Sequence, residues 1–124
     1  MLQACAALRG ECEVLLVEGI GGWMTPFTGR LTMADLVKEL GLPAILVVGL
    51  RLGCINHALL TRAAMRREDI ELAGWIANTV DPAYDYVRET ECYLKDALDA
   101  PCLGLLPYSE GACGLEGHLN VLPL

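Results

Sequence analysis

The sequence predicts an α/β domain with a mostly parallel sheet flanked by helices. Short apolar runs occur at residues 13–17, 44–48, 73–78 and 102–106. They show no clean alternation of apolar and polar residues, which is typical of strands buried on both faces. Helical stretches separate the runs, so the order along the chain is α-β-α-β-α-β-α-β. This order favours a doubly wound sheet with right-handed crossovers.

Capping and breaking residues locate the helices. Thr32 can cap a helix that ends at Gly41, with Pro43 beyond it. Asp81-Pro82 is a start signal for a later helix. That later helix covers about residues 83–98, and two more predicted helices cover residues 2–9 and about 55–67. Because the pattern opens on a helix that feeds directly into a strand, we expect the 124 residues to be the C-terminal part of a larger fold.

Composition narrows the class of partner. The net charge is −7 and no basic stripe is present, so we expect no nucleic acid. An acidic protein can still bind an anionic ligand, because helix N-termini and a bound metal ion both attract negative charge. The apolar fraction is 54% and the mean hydropathy is +0.42. The apolar run at residues 42–50 is nevertheless too short for a bilayer span of about 20 residues, and we expect no membrane association.

The cysteines indicate a reducing compartment. None of the six stands in a C-x-x-C pair, and the two histidines lie at no zinc-ligand spacing from them. Reduced cysteines that pack as small apolar side chains are usual in cytosolic proteins. No basic stretch leads into an apolar segment at the start, as a signal peptide would require. We therefore expect a cytoplasmic protein.

A carboxylate follows the first predicted strand. Glu18 closes the run at residues 13–17, and Gly19, Gly21 and Gly22 follow it. Acidic residues beside nucleotide phosphates suit Mg²⁺, which needs hard oxygen ligands and few protein groups. The alternative is that Glu18 caps a neighbouring helix or pairs with an arginine. The glycines likewise allow close approach of a ligand or an ordinary turn.

The other predicted strands also end on distinctive residues. Gly49, Asn78 and Pro107 stand at or just after their carboxyl ends. In open α/β sheets, ligands bind beyond the carboxyl ends of the strands. The sequence therefore predicts a ligand site at this edge.

Four segments in fixed order carry a family resemblance. They are VEGIGGWMTP, ILVVGLRLGCINHALLT, LAGWIANTV and LGLLPY. Together they resemble dethiobiotin synthetase, the ATP-dependent enzyme of biotin synthesis. The similarity extends from residue 13 to about residue 124, and RLGCINHALLT is its most specific part.

The resemblance implies a P-loop NTPase-like fold whose N-terminal βα units are missing here, and a homodimer. It also implies a reaction in which a carbamate of 7,8-diaminononanoate and CO₂ attacks the γ-phosphate of ATP. The second amine then closes a cyclic urea and releases phosphate. The protein's part in such phosphoryl transfer is mostly placement and neutralisation of charge.

The resemblance also assigns residues to ATP and Mg²⁺. Glu18 corresponds to the magnesium ligand, and Asn78 corresponds to the residue that recognises adenine. An amide suits this role because it offers a donor and an acceptor together, although an Asn in an ordinary turn is the alternative. The full ATP site is expected to comprise Glu18, Gly19, Ile20, Gly21, Asn78, Thr79, Pro107, Tyr108 and Ser109.

A second predicted site would hold the carboxylate of the substrate from across the dimer interface. It comprises Gly53, Cys54, Ile55 and Asn56, at a loop and helix start. Free backbone N–H groups and the positive end of a helix dipole attract anions there. The alternative is that Asn56 only caps the helix.

The sequence departs from the family at the phosphate end. No G-x-x-x-x-G-K-[ST] motif occurs in the 124 residues, and Lys38 and Lys95 are the only lysines. We expect both lysines on outer helix surfaces and no catalytic residue of the family in this chain, which should be inactive alone. Two interpretations follow: a truncated dethiobiotin synthetase, or a non-catalytic nucleotide-binding or dimerisation module. A related amidoligase of cobalamin synthesis is a third, and the GCINH stretch argues against it.

Overall fold

A hairpin and two helices form the first of two units, Met1–Leu42 and Pro43–Leu124. The computed structural model describes residues 2–19, 21–111 and 115–120. Helix α1 spans Leu2–Arg9, and strands β1 (Pro26–Thr28) and β2 (Leu31–Thr32) form an antiparallel pair. Helix α2 spans Met33–Leu40. The hairpin was not predicted, because strands of three and two residues leave almost no pattern.

Helix α2 begins and ends where its caps predict. The Asp35 carboxylate accepts a hydrogen bond from the Thr32 N–H at 2.7 Å, and Thr32 Oγ1 accepts one from the Asp35 N–H at 3.4 Å. These bonds form a capping box, and the bond from the Thr32 N–H is the main cause of the lowered pKa of Asp35. At the other end, the Gly41 N–H donates to the carbonyls of Val37 and Lys38. The predicted helix is confirmed.

Residues 13–17 do not form the predicted strand, and residues 14–19 have no regular secondary structure. The side chains of Val14 and Leu16 are 51% and 84% exposed. A strand persists only when its N–H and C=O groups pair with a neighbour. Among the described residues, no strand pairs with this segment. Its apolar composition therefore misled the prediction, since composition does not identify a pairing partner.

The second unit contains a parallel sheet of three strands in the order β3-β4-β5. Strand β3 spans Ala44–Leu50, β4 spans Leu72–Thr79 and β5 spans Cys102–Leu106. Helix α3 (Cys54–Arg67) connects β3 to β4, helix α4 (Val87–Ala97) connects β4 to β5, and a 3₁₀ helix covers Glu116–His118. The predicted α/β class with a parallel sheet and flanking helices is confirmed. None of the described helices has the length and apolar character needed to cross a membrane.

Helix α4 begins later than predicted. The Asp81 carboxylate accepts a hydrogen bond from the Ala83 N–H at 2.9 Å, which forms a turn before the helix. The Asp-Pro pair therefore marks this turn, and the helix starts only at Val87.

The core lies on one face of this sheet. Leu46, Val48 and Leu50 of β3 lie beside Trp75, Ala77 and Thr79 of β4 in register. Most of these side chains are buried, and Met65 of α3, Leu94 of α4 and Leu98 at the C-cap of α4 add buried side chains to the core. Ile45 and Val47 alternate with the core residues of β3 and are 44% and 55% exposed. The β3 strand is therefore buried on one face, where the prediction expected burial on both.

Candidate functional site

A cleft of about 310 Å³ lies at the carboxyl ends of β4 and β5. Its lining residues are Asn78, Thr79, Val80, Pro107, Tyr108, Ser109 and Leu115. All five residues that the resemblance assigns to the adenine end of the ATP site are among them. The volume is at the lower end of the range of about 300–1,000 Å³ that is usual for small-molecule sites. The structure thus brings together two stretches that are separated in sequence by a whole helix.

Strand register places these two stretches side by side. Asn78 pairs with Leu106 of β5 on one side and with Gly49 of β3 on the other. Parallel strands present their carboxyl ends at one edge of the sheet, so the residue after Leu106 falls next to Asn78. That residue is Pro107, which has no N–H to continue the ladder and so ends the strand.

Asn78 has the chemistry to recognise a base. It is half-buried at the end of β4. The side-chain hydrogen bonds in the described part of this unit engage other residues, such as Arg62, Asp81 and Ser109, and none involves the Asn78 amide. The alternative of an Asn bonded within a turn therefore finds no such bond among the described residues. As far as the described residues show, the donor and the acceptor of this amide are not used within the chain and could bind a ligand.

The segment after β5 contributes an aromatic ring and a tight turn. Tyr108 is 45% exposed, so its ring can contact a planar ligand. The Ser109 hydroxyl donates to the Gly111 carbonyl at 2.5 Å and accepts from the Gly111 N–H at 3.3 Å. Ser109 thus uses its hydroxyl proton inside the loop, and its contribution to the cleft is to shape this loop.

Two residues of the cleft were not predicted. Val80 is 44% exposed and is the last residue of the segment LAGWIANTV, directly after Asn78 and Thr79, so its place in that segment was an available signal. Leu115 belongs to a segment that reaches β5 through a bridge between Gly104 and Leu119. No periodicity or motif in the sequence indicates that contact.

The predicted phosphate-binding residues lie in the first unit. Glu18 and Gly19 are exposed, and Ile20 lies outside the described residues. Gly21 has φ +75°, and a Cβ there would stand 2.6 Å from Thr25 Oγ1, so this position requires glycine. The Gly22 N–H donates to the same hydroxyl at 2.7 Å. The glycines thus form a tight turn, and their contact with phosphates stays a prediction.

The chemistry of Glu18 fits a magnesium ion that is shared with a nucleotide. The described residues include no group of three or more His, Cys, Asp or Glu side chains that could hold a metal by themselves. Mg²⁺ in nucleotide sites needs only one or two carboxylates, because phosphates and waters supply the remaining ligands. The ion pairs of the described residues do not include Glu18. Its exposed carboxylate has therefore no arginine partner in the part of the chain that the structure describes.

The start of α3 is an uncapped helix N-terminus. Gly53 is its N-cap with φ +92°, which favours glycine, and no side chain caps the helix. The Cys54 N–H donates to the Arg51 carbonyl at 3.0 Å, and the Cys54 side chain is buried. The alternative that Asn56 caps the helix is wrong, because Gly53 occupies the cap position and Asn56 lies inside the helix. Ile55 lies between them, half-buried. The predicted residues are contiguous at this helix end, whose geometry suits an anion.

Comparison with known proteins finds relatives that share one name, ATP-dependent dethiobiotin synthetase BioD. The protein of Xanthomonas oryzae pv. oryzae (strain PXO99A) is 50% identical over 118 residues, which are 93% of this chain and 53% of the relative. That of Pseudomonas paraeruginosa (strain DSM 24068 / PA7) is 50% identical over 120 residues, 95% of this chain and 52% of the relative. That of Xanthomonas campestris pv. campestris (strain 8004) is 46% identical over 121 residues, which are 96% of this chain and 54% of the relative. The chain spans about half the length of the curated relatives it matches.

A family model agrees with the fold. The model described as an AAA domain matches residues 1–112. This range contains the parallel sheet, both crossover helices and all of the cleft residues except Leu115. The resemblance to dethiobiotin synthetases that the motifs indicated is confirmed by these relatives, and the chain belongs to the AAA-domain family.

Proposed function

We propose that this chain is the C-terminal portion of an ATP- and Mg²⁺-dependent dethiobiotin synthetase, a cytoplasmic homodimer. The enzyme would close a cyclic urea from 7,8-diaminononanoate and CO₂. The names of the relatives support this proposal. The observation that carries it is the cleft at the carboxyl ends of β4 and β5, where Asn78, Thr79 and residues 107–109 meet.

In this proposal the cleft binds adenine. The Asn78 amide would donate to N7 and accept from the N6 amino group, the bidentate pairing that suits this base. The Tyr108 ring would contact the base from the β5 side. Thr79 and Pro107 complete the walls, and the turn made by Ser109 holds the segment after β5 in place.

The phosphate end would depend on the first unit. Glu18 would contribute one carboxylate to Mg²⁺, and the turn at Gly19, Ile20 and Gly21 would face the phosphates. The bound ion would neutralise charge on the phosphate oxygens. The start of α3, residues 53–56, would hold the carboxylate of 7,8-diaminononanoate bound to the second protomer.

A non-catalytic nucleotide-binding or dimerisation module is the second candidate. It would use the same cleft, which is complete within the second unit. Like the first candidate, it agrees with the absence of a G-x-x-x-x-G-K-[ST] motif from these 124 residues, because the cradle and lysine of that motif hold the phosphates. Both candidates predict that the 124-residue chain catalyses no ring closure alone. A measurable ATP-dependent rate with 7,8-diaminononanoate and bicarbonate would refute that prediction.

Calorimetric titration with ATP and Mg²⁺ tests the shared part of the two candidates. We expect Asn78→Ala to weaken binding by about tenfold, because the variant loses both amide hydrogen bonds to the base. Asn120→Ala is the matched control, since the Asn120 side chain is exposed and does not line the cleft. Absence of heat at millimolar ATP, or equal affinities of the two variants, would refute the assignment of the cleft.

Titrations at the phosphate end then separate the two candidates. Tighter binding of ATP with Mg²⁺ than of adenosine, abolished by Glu18→Gln, would favour the synthetase. Equal affinities for ATP and adenosine would favour the module, because only the base end would then be binding. The matched control is Glu11→Gln, which changes an exposed carboxylate outside the predicted site.

A further inference from the structure

Val80 lies against the end of the neighbouring strand. A Cβ built on Gly49 would stand 3.3 Å from Val80 Cγ2 and 3.4 Å from Val80 Cγ1. Carbon atoms in good contact are about 3.5–4.0 Å apart. Val80 therefore occupies space that a side chain at position 49 would share.

The same contact adjoins the cleft. Gly49 pairs in register with Asn78, the residue that offers its amide to a ligand. Val80 lines the cleft and Gly49 does not. Val80 thus adjoins both the end of β3 at Gly49 and the cleft that Asn78 lines.

From this arrangement we propose that Gly49 is a positioning residue for the ligand cleft, because its lack of a side chain keeps Val80 in the wall beside Asn78. The inference rests on the proposed function of the cleft as the adenine site. A side chain at position 49 would displace Val80 by a few tenths of an ångström. Because Val80 lines the cleft, this displacement would change the wall that the bound base contacts.

A double-mutant cycle tests this coupling in the full 124-residue chain, with ATP and Mg²⁺ as the probe. We expect Gly49→Ala to weaken binding by about three- to tenfold. In a Val80→Ala background, the methyl groups that the new Cβ meets are gone, so Gly49→Ala should have no further effect. Gly117→Ala is the control for a glycine change in general, because a Cβ at Gly117 would meet no atom of the described residues within 4 Å.

A second readout makes the test independent of nucleotide binding. Valine methyl NMR, with the Val80 signals assigned through Val80→Ala, should show these signals shifted by Gly49→Ala and unchanged by Gly117→Ala. Unshifted Val80 methyl groups would overturn the inference even if ATP binds. An equal loss of ATP affinity from Gly49→Ala in both backgrounds would overturn it as well. Failure of the wild-type chain to bind ATP would refute the proposed function, and the methyl signals would still decide whether Gly49 positions Val80.

Discussion

The close approach of Leu103 to Gly74 predicts a substitution whose effect changes sign with its background. Gly74 is buried in β4, and a Cβ there would stand 2.8 Å from Leu103 Cγ and 2.9 Å from each of its methyl carbons. Good contacts begin near about 3.5 Å, so Leu103 would have to retreat by about 0.6 Å or more. Leu103 is only 7% exposed, and its packed surroundings resist this movement.

Two opposing effects set the magnitude for Gly74→Ala. Overpacking of a core costs about 1–3 kcal/mol. Replacing glycine by alanine inside a strand recovers about 0.5–1 kcal/mol, because the unfolded chain loses less freedom on folding. We therefore expect the free energy of unfolding to fall by about 1 kcal/mol. Leu103→Ala alone should cost about 2–5 kcal/mol, but it removes the atoms that clash, so adding Gly74→Ala to it should stabilise the chain by about 0.5–1 kcal/mol.

Urea-induced unfolding, followed by circular dichroism on the two single variants and the double variant, measures this cycle. Gly117→Ala is the control, because within the part of the chain that the structure describes its added Cβ meets no atom within 4 Å. The reasoning is refuted if Gly74→Ala has the same sign and size with and without the Leu103 side chain. Stabilisation of the wild-type background by Gly74→Ala would refute it too.

Three further predictions concern the helices. Thr32→Ala should lower stability by about 1 kcal/mol through loss of the α2 cap, and Thr32→Ser should restore most of it in urea unfolding. Arg62→Met should cost about 1–2 kcal/mol in the same assay, because the bond from Arg62 Nε to the Leu98 carbonyl, at 3.0 Å, is lost. The hydrogen bond from Lys95 is the largest cause of the lowered pKa of Glu91. The stability that this carboxylate contributes should be present above its ordinary pKa of 4.5 and should be lost as the pH falls through the lowered pKa. Urea unfolding midpoints measured between pH 7 and 3 should therefore fall less with acid in Glu91→Gln than in the unsubstituted chain.

Local signals in the sequence predicted the structure best. The ends of α2 follow from Thr32 and Gly41 because each cap bonds groups within four residues of itself. The strand at residues 13–17 failed for the opposite reason, since pairing depends on a partner that the segment does not encode. The hairpin was missed although Gly29 has φ +55°, because a single glycine between two very short strands is a weak signal.

The candidate site was predicted from two kinds of information. The rule that ligands bind at carboxyl ends of parallel strands pointed to Asn78 and Pro107, and the resemblance added Thr79, Tyr108 and Ser109. The strand-end rule and the resemblance can each be read from a short local stretch of sequence. Leu115 escaped because its position depends on the pairing of a later segment with β5, a contact that no motif marks.

The residues that are predicted to bind ATP belong partly to the first unit and partly to the second. The adenine end is built by adjacent parallel strands, and the register of Asn78 with Leu106 is enough to bring Pro107 beside it. The proposed recognition of the base would therefore depend on the pairing of β4 with β5. Glu18 and its glycines belong to the first unit, where a tight turn closed by Thr25 fixes the local backbone. Substitutions in either unit should thus affect one end of the nucleotide more than the other, which makes the two halves of the assignment separately testable.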